Sequence, residues 1–191
     1  MTLFEYMSIA TSLLLSFSLA RTLTNLAPVF SADRRYWVHI VWVLLLLFNH
    51  ASLFWQLWLY NGVESWTLVG FVLLLTGPIM LLIAASLLVP VEAPDDYRVY
   101  FESIRAPAYL LLIVMQLQQI PLLYLLLEVP LIHPLHLTTA MIVLAFAIGL
   151  IGRRRSIDMV LVILFSLSVA GGLLVSNDHQ AMREFVESLR D

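Results

Sequence analysis

In a chain built mostly of apolar residues, chemistry falls to the few polar side chains set inside the apolar runs. One run holds Asn49 and His50 side by side, with Ser52 and Gln56 further along. The next groups Thr76, Gly77 and Pro78, and the one after it carries Gln116, Gln118, Gln119 and Pro121 in the segment QLQQIP. Arg21 lies inside the first. Each residue type offers a definite chemistry. An imidazole titrates near neutral pH and can relay a proton or bind a metal. A proline within a helix removes a backbone hydrogen bond and frees a carbonyl, as expected at Pro78 and Pro121. Broken helices of that kind hold ions or substrates at the membrane midplane in transporters. Gln116 and Gln119, three residues apart, share a helix face, and Arg21 can pair an anionic substrate or an intramembrane carboxylate.

The elements that position these residues are long and apolar. Six membrane-spanning helices are expected, over residues 3–30, 36–60, 66–90, 107–129, 135–152 and 157–176, in an all-α bundle with short loops. Residues 1–176 form a single transmembrane domain and 177–191 an amphipathic tail. With each span's middle taken as the bilayer centre, Asn49 with His50, Thr76 with Pro78, and the three glutamines with Pro121 reach about the same depth. Arg21 stands four residues cytoplasmic of its own midpoint, or ~6 Å.

Composition agrees with this class and excludes others. Of 191 residues, 61% are hydrophobic and 12% charged, half the charge of an ordinary soluble domain. The absence of cysteine removes disulfides, thiolate metal sites, thiol nucleophiles and covalent haem attachment. The absence of lysine means that no Schiff base to retinal or pyridoxal phosphate forms. A net charge of −3, with no basic-aromatic run, speaks against a nucleic-acid partner. No HExxH, P-loop or GxSxG motif is present, so no catalytic residue is assigned and an enzyme is the less favoured of the readings left open. No cofactor is expected. His39 and His50, eleven residues apart on one helix, lie ~16 Å apart along its axis and cannot ligate one haem iron. His133 and His136 in HPLH, with Glu128 nearby, are weak metal candidates that lack a fourth partner, and no metal is assigned to them. Asp158 is read as capping the start of the last span.

Arginine placement gives the orientation. The loops after the first, third and fifth spans hold Arg34, Arg35, Arg98, Arg105, Arg153, Arg154 and Arg155, against Arg183 and Arg190 on the other side. The positive-inside rule then places the odd-numbered loops in the cytoplasm and both termini outside, in a bacterial inner membrane. The opening MTLFEYM, with no basic residue and with Glu5, does not read as a cleavable signal peptide. Two segments have the spacing of short interfacial amphipathic helices: Tyr97, Tyr100, Phe101 and Ile104 in the third loop, and Met182, Phe185, Val186 and Leu189 in the tail. Ser8, Ser12, Ser16 and Ala20 form a small-residue ridge suited to close helix packing and to a homo-oligomer.

Two functions follow from the polar layer. The first is a small channel or carrier that moves an ion or small solute past Arg21, Asn49, His50, Gln56, Thr76, Pro78, Gln116, Gln119 and Pro121. The alternative is a non-catalytic sensor, assembly factor or subunit of a larger membrane complex, in which the same residues hydrogen-bond between helices. The first expects a hydrated cavity reaching Gln119 and His50, the second a dry, closely packed interior. In both, the lipid bilayer is the immediate partner.

Overall fold

A computed structural model describes all residues except 1, 32, 34, 64, 153, 176–183 and 185–191. Among the described residues the chain is all-helical, with seven α-helices and no strand. They are α1 (Leu3–Thr24), α2 (Ala27–Ser31), α3 (Trp37–Gln56), α4 (Leu68–Leu88), α5 (Tyr97–Leu127), α6 (Pro134–Ile151) and α7 (Arg155–Val175). A single 3-10 turn, Leu57–Tyr60, extends α3. Among the described residues, four helices are long and apolar enough to cross a membrane: α1, α3 with its extension, α4 and α5. The run His136–Ile151 within α6 is apolar and shorter.

Local chemistry sets the boundaries. At the start of α1, Thr2 Oγ1 accepts from the Glu5 amide at 3.2 Å and the Glu5 carboxylate accepts from the Thr2 amide at 2.8 Å, a reciprocal cap. The expected first span, 3–30, is divided. Asn25 closes α1, and Pro28 has no N–H to return to the Thr24 carbonyl, so the chain turns and restarts as α2. Thr67 caps α4 through the Gly70 amide at 3.0 Å, and Asp96 caps α5 through the amides of Arg98 and Val99 at 2.8 and 3.2 Å.

The third-loop segment departs from expectation. Tyr97, Tyr100, Phe101 and Ile104 do not form a separate surface helix; they are the opening turns of the 31-residue α5, about 46 Å long at 1.5 Å per residue. Tyr97, Phe101 and Ile104 are buried. Their spacing reports packing against the bundle. Pro107, the expected start of the fourth span, lies inside this helix without ending it. The amphipathic tail segment, like Arg34 and Arg153, lies outside the described residues.

α4 is central, packing against α1, α3 and α5, while α5 also packs on α6, and α7 closes against α3 and α6. One core unites α3 to α7 around Trp42, Val43, Ala85, Phe101, Tyr109 and Phe165. A smaller one, around Met7, Tyr60, Leu74, Leu122 and Val129, lies where α1 and the 3-10 turn meet α4 and α5. The outward faces are also apolar: Leu137, Met141, Leu144 and Ile148 of α6 and Val160, Ile163 and Leu167 of α7 are all exposed. Apolar side chains on both faces of the helices suit lipid as the surrounding medium.

Candidate functional site

The polar residues set inside the helices divide among different helix contacts. His50, 3% exposed, sits on α3 facing α1. Its Nδ1 lies 2.7 Å from the Leu46 carbonyl, an acceptor only, so Nδ1 carries the proton and donates. Nε2 is then free to accept, and the Ser18 hydroxyl donates to it at 2.6 Å. Both ring nitrogens are satisfied with the imidazole neutral. Ser18 has no exposed surface.

Neighbouring groups turn back onto their own helices. Asn49 Nδ2 donates to the Leu45 carbonyl at 2.8 Å, and Thr76 Oγ1 donates to the Val72 carbonyl at 2.8 Å. Pro78 is buried within α4, and Pro121 is half-buried within α5. Arg21 is half-buried near the end of α1, and one guanidinium nitrogen, Nη1, is buried with no hydrogen bond among the described residues.

Of the three glutamines, Gln118 crosses to another helix, although Gln116 and Gln119 were the expected pair. Its Nε2 donates to the Leu73 carbonyl at 2.9 Å, five residues before Pro78. Proline lacks an N–H, which leaves the Leu74 carbonyl, next to that of Leu73, without its helical donor. Gln56, Gln118 and Gln119 line one small cavity with Thr11, Tyr60 and Gly77; its volume is about 10 Å³, room for about one water. Asn49 and Gln116 border a second cavity of about 50 Å³ whose walls are otherwise mainly apolar. His50 lines neither of the two.

Sequence reasoning missed the most strongly ionic cluster. Asp158 stands in the first turn of α7, but among the described residues its carboxylate bonds to another helix. Its Oδ1 accepts from the Tyr109 hydroxyl at 2.8 Å and from Arg105 Nη1 at 3.2 Å, both on α5. Arg105 Nη1 also donates to the Gly152 carbonyl at 3.0 Å, at the end of α6. One guanidinium thus ties α5 to the end of α6 and the start of α7, with side-chain exposures of 10% for Arg105 and 5% for Asp158. Nearby, Arg155 stacks over the Tyr36 ring at 5.7 Å.

His39 is fully buried in an aromatic cage formed by Tyr97, Tyr100 and Phe101, with ring centroids 5.2–6.0 Å away. At the opposite end, the His133 and His136 rings lie 6.5 Å apart. His136 Nε2 donates to the Pro130 carbonyl at 3.1 Å, which removes that nitrogen from metal binding. Glu128, exposed, closes α5 in a left-handed conformation with φ 60°. Among the described residues, no three His, Asp or Glu side chains converge on a point that could hold a metal.

No protein-family model, curated protein or solved structure matches the chain.

Proposed function

We propose that this chain is a non-conducting membrane-embedded subunit or sensor of a larger assembly, its midplane polar residues serving to join helices. The observation that carries this reading is the pairing of His50 with Ser18 and of Gln118 with the Leu73 carbonyl. These are interhelical hydrogen bonds of the kind that hold membrane bundles together. A conducting path needs hydrated polar groups in a continuous space, and the cavity beside Gln119 is about 10 Å³.

The proposal includes six spans in a bacterial inner membrane, with both termini outside. The 18 residues of α6 and 21 of α7 reach about 27 and 31 Å at 1.5 Å per residue, close to a hydrocarbon core of ~30 Å. A tag on either terminus should be accessible in intact spheroplasts, and a tag at Arg154 only after lysis. We further propose a homo-oligomer formed through α1. Its buried stripe runs through Met7, Thr11, Leu15, Ser18 and Thr22, which leaves Ser16 and Ala20 of the small-residue ridge exposed. Ser12→Leu should shift the assembly state in mild detergent.

The deciding experiment is flux through proteoliposomes across a panel of protons, alkali cations, halides and small neutral solutes. Rates equal to those of empty liposomes are expected throughout. Protein-dependent flux abolished by Gln119→Ala, with folding intact, would establish a channel or carrier instead.

A further inference from the structure

The smaller internal space lies where α1, α4 and α5 meet the end of α3 and its 3-10 turn. It measures about 10 Å³ and is lined by Gln56, Tyr60, Gln118 and Gln119, with Thr11 and Gly77 among its other walls. A single water needs roughly 10–15 Å³ of such space and about two to four polar partners. The volume therefore admits one water and nothing larger.

Three of the lining side chains have polar groups still to be matched. Tyr60 is 5% exposed, and its hydroxyl makes no hydrogen bond among the described residues. The side-chain amides of Gln56, the last residue of α3, and of Gln119 on α5 make none either. A buried tyrosine hydroxyl ordinarily has a partner, and burying a polar side chain without one is costly. The remaining polar walls are committed or closed off. Thr11 Oγ1 donates to the Met7 carbonyl at 2.9 Å. The Gln118 amide nitrogen donates to the Leu73 carbonyl, and its Oε1 is enclosed.

We propose that this cavity binds one long-lived water molecule that bridges α3 to α5. The Tyr60 hydroxyl donates to the water oxygen, and the water donates to the amide oxygens of Gln56 and Gln119. One hydroxyl donor and two carbonyl acceptors match what a water can take and give. Neither the His50–Ser18 contact nor the Gln118–Leu73 bond takes part, so the site goes beyond the non-conducting reading and does not rest on it.

The test uses the full chain, perdeuterated and carrying isotope-labelled glutamine, in nanodiscs of perdeuterated phosphatidylcholine. Nuclear Overhauser spectra at the water frequency are read at the glutamine side-chain amides, and rotating-frame spectra separate dipolar contact from proton exchange. Gln118 is the reporter, because it lines the cavity and is only 8% exposed. A dipolar cross-peak with the sign of a long-lived water is expected there. Tyr60→Phe removes the donor to the water and should remove most of the cross-peak. Gln119→Leu removes an acceptor at similar volume and should do the same, with little change in melting because the freed water offsets the lost bond. Thermal melts establish that each variant is folded, and either folded variant decides. The absence of this cross-peak in the parent chain overturns the site, as does a cross-peak that a folded variant leaves undiminished. Flux through proteoliposomes is read separately, so a conducting chain would overturn the earlier reading without moving this result.

Discussion

Arg105 on α5 and Asp158 on α7, 53 residues apart in sequence, stand 3.2 Å apart at a point where the end of α6 also meets the guanidinium. Removing one charge from such a pair strands the other in a low-dielectric interior, which costs about 3–5 kcal/mol. Asp158→Asn should therefore destabilise the bundle strongly. Asp158→Leu combined with Arg105→Met should recover much of that loss, since neither charge then remains to be solvated. Tyr109→Phe, which removes one hydrogen bond to a carboxylate, should cost about 1.5–3 kcal/mol. Denaturant unfolding in detergent micelles, followed by tryptophan emission, measures all three. Asp158→Asn melting with the parent chain would refute the account.

The His50–Ser18 contact makes a second, separable prediction. Both side chains are buried and joined at 2.6 Å, so Ser18→Ala and His50→Phe should each lower stability by about 1 kcal/mol or more. The double variant should lose clearly less than the sum, with a coupling energy of at least ~0.5 kcal/mol. Additive losses would mean that the two groups do not depend on each other, and the interhelical reading of His50 would fall.

How legible these relationships were differs by type. Apolar length announced the long helices, because lipid requires about 20 apolar residues per span whatever the neighbours are. It placed the ends of α3, α4, α6 and α7 within a few residues. The break at Asn25 was harder to read, since Pro28 fits a helix's first turn as readily as it prevents continuation from Thr24. The segment Tyr97–Ile104 shows why periodicity alone misleads. An amphipathic stripe has the same spacing whether its apolar face meets lipid headgroups or, as here, the aromatic core around His39. Asp158 was misread for a related reason. An acid in a helix's first turn fits the macrodipole, and nothing in one sequence reports that Arg105 and Tyr109 lie opposite. The sequence placed the glutamines inside a long helix, but helix rotation was not readable, and rotation chose Gln118.

Close packing at the α5–α6–α7 junction gives a third prediction. A Cβ added to Gly149 would lie 2.5 Å from Leu161 Cδ1 and 2.9 Å from Tyr109 Cε2. The leucine methyl can swing away, but the tyrosine ring is buried and tied to Asp158 through its hydroxyl. Overpacking of this kind costs about 1–3 kcal/mol, against a helix-propensity gain of up to ~1 kcal/mol for alanine over glycine. Gly149→Ala should be destabilising on balance. A Cβ on Gly62 would meet nothing within 4 Å, so Gly62→Ala should remain within about 0.5 kcal/mol of the parent. The two variants melted side by side provide the check, and a Gly149→Ala chain as stable as Gly62→Ala would show that the junction is looser than described.

The glutamine segment provides the last prediction, because three similar side chains are placed differently. Gln118 is 8% exposed and donates to the Leu73 carbonyl near Pro78, while Gln116 and Gln119 are half-buried beside the two cavities. Interhelical hydrogen bonds in membrane proteins average ~0.6 kcal/mol and reach ~1.7 kcal/mol. Gln118→Leu should cost an amount within this range, because it removes a bond from α5 to α4 at a residue only 8% exposed. Gln116→Leu and Gln119→Leu should stay within about 0.5 kcal/mol. Leucine is the informative replacement, since it keeps volume and helix propensity and removes only the amide. Pro78→Ala adds a second axis. It restores a backbone N–H for the Leu74 carbonyl, not for that of Leu73, so the loss caused by Gln118→Leu should be the same in that background. Equilibrium unfolding of the four single variants and the Pro78→Ala, Gln118→Leu pair would measure this directly. A larger loss at Gln119 than at Gln118, or a Gln118 effect that disappears without Pro78, would show that the amide does not act simply as a bridge between α4 and α5.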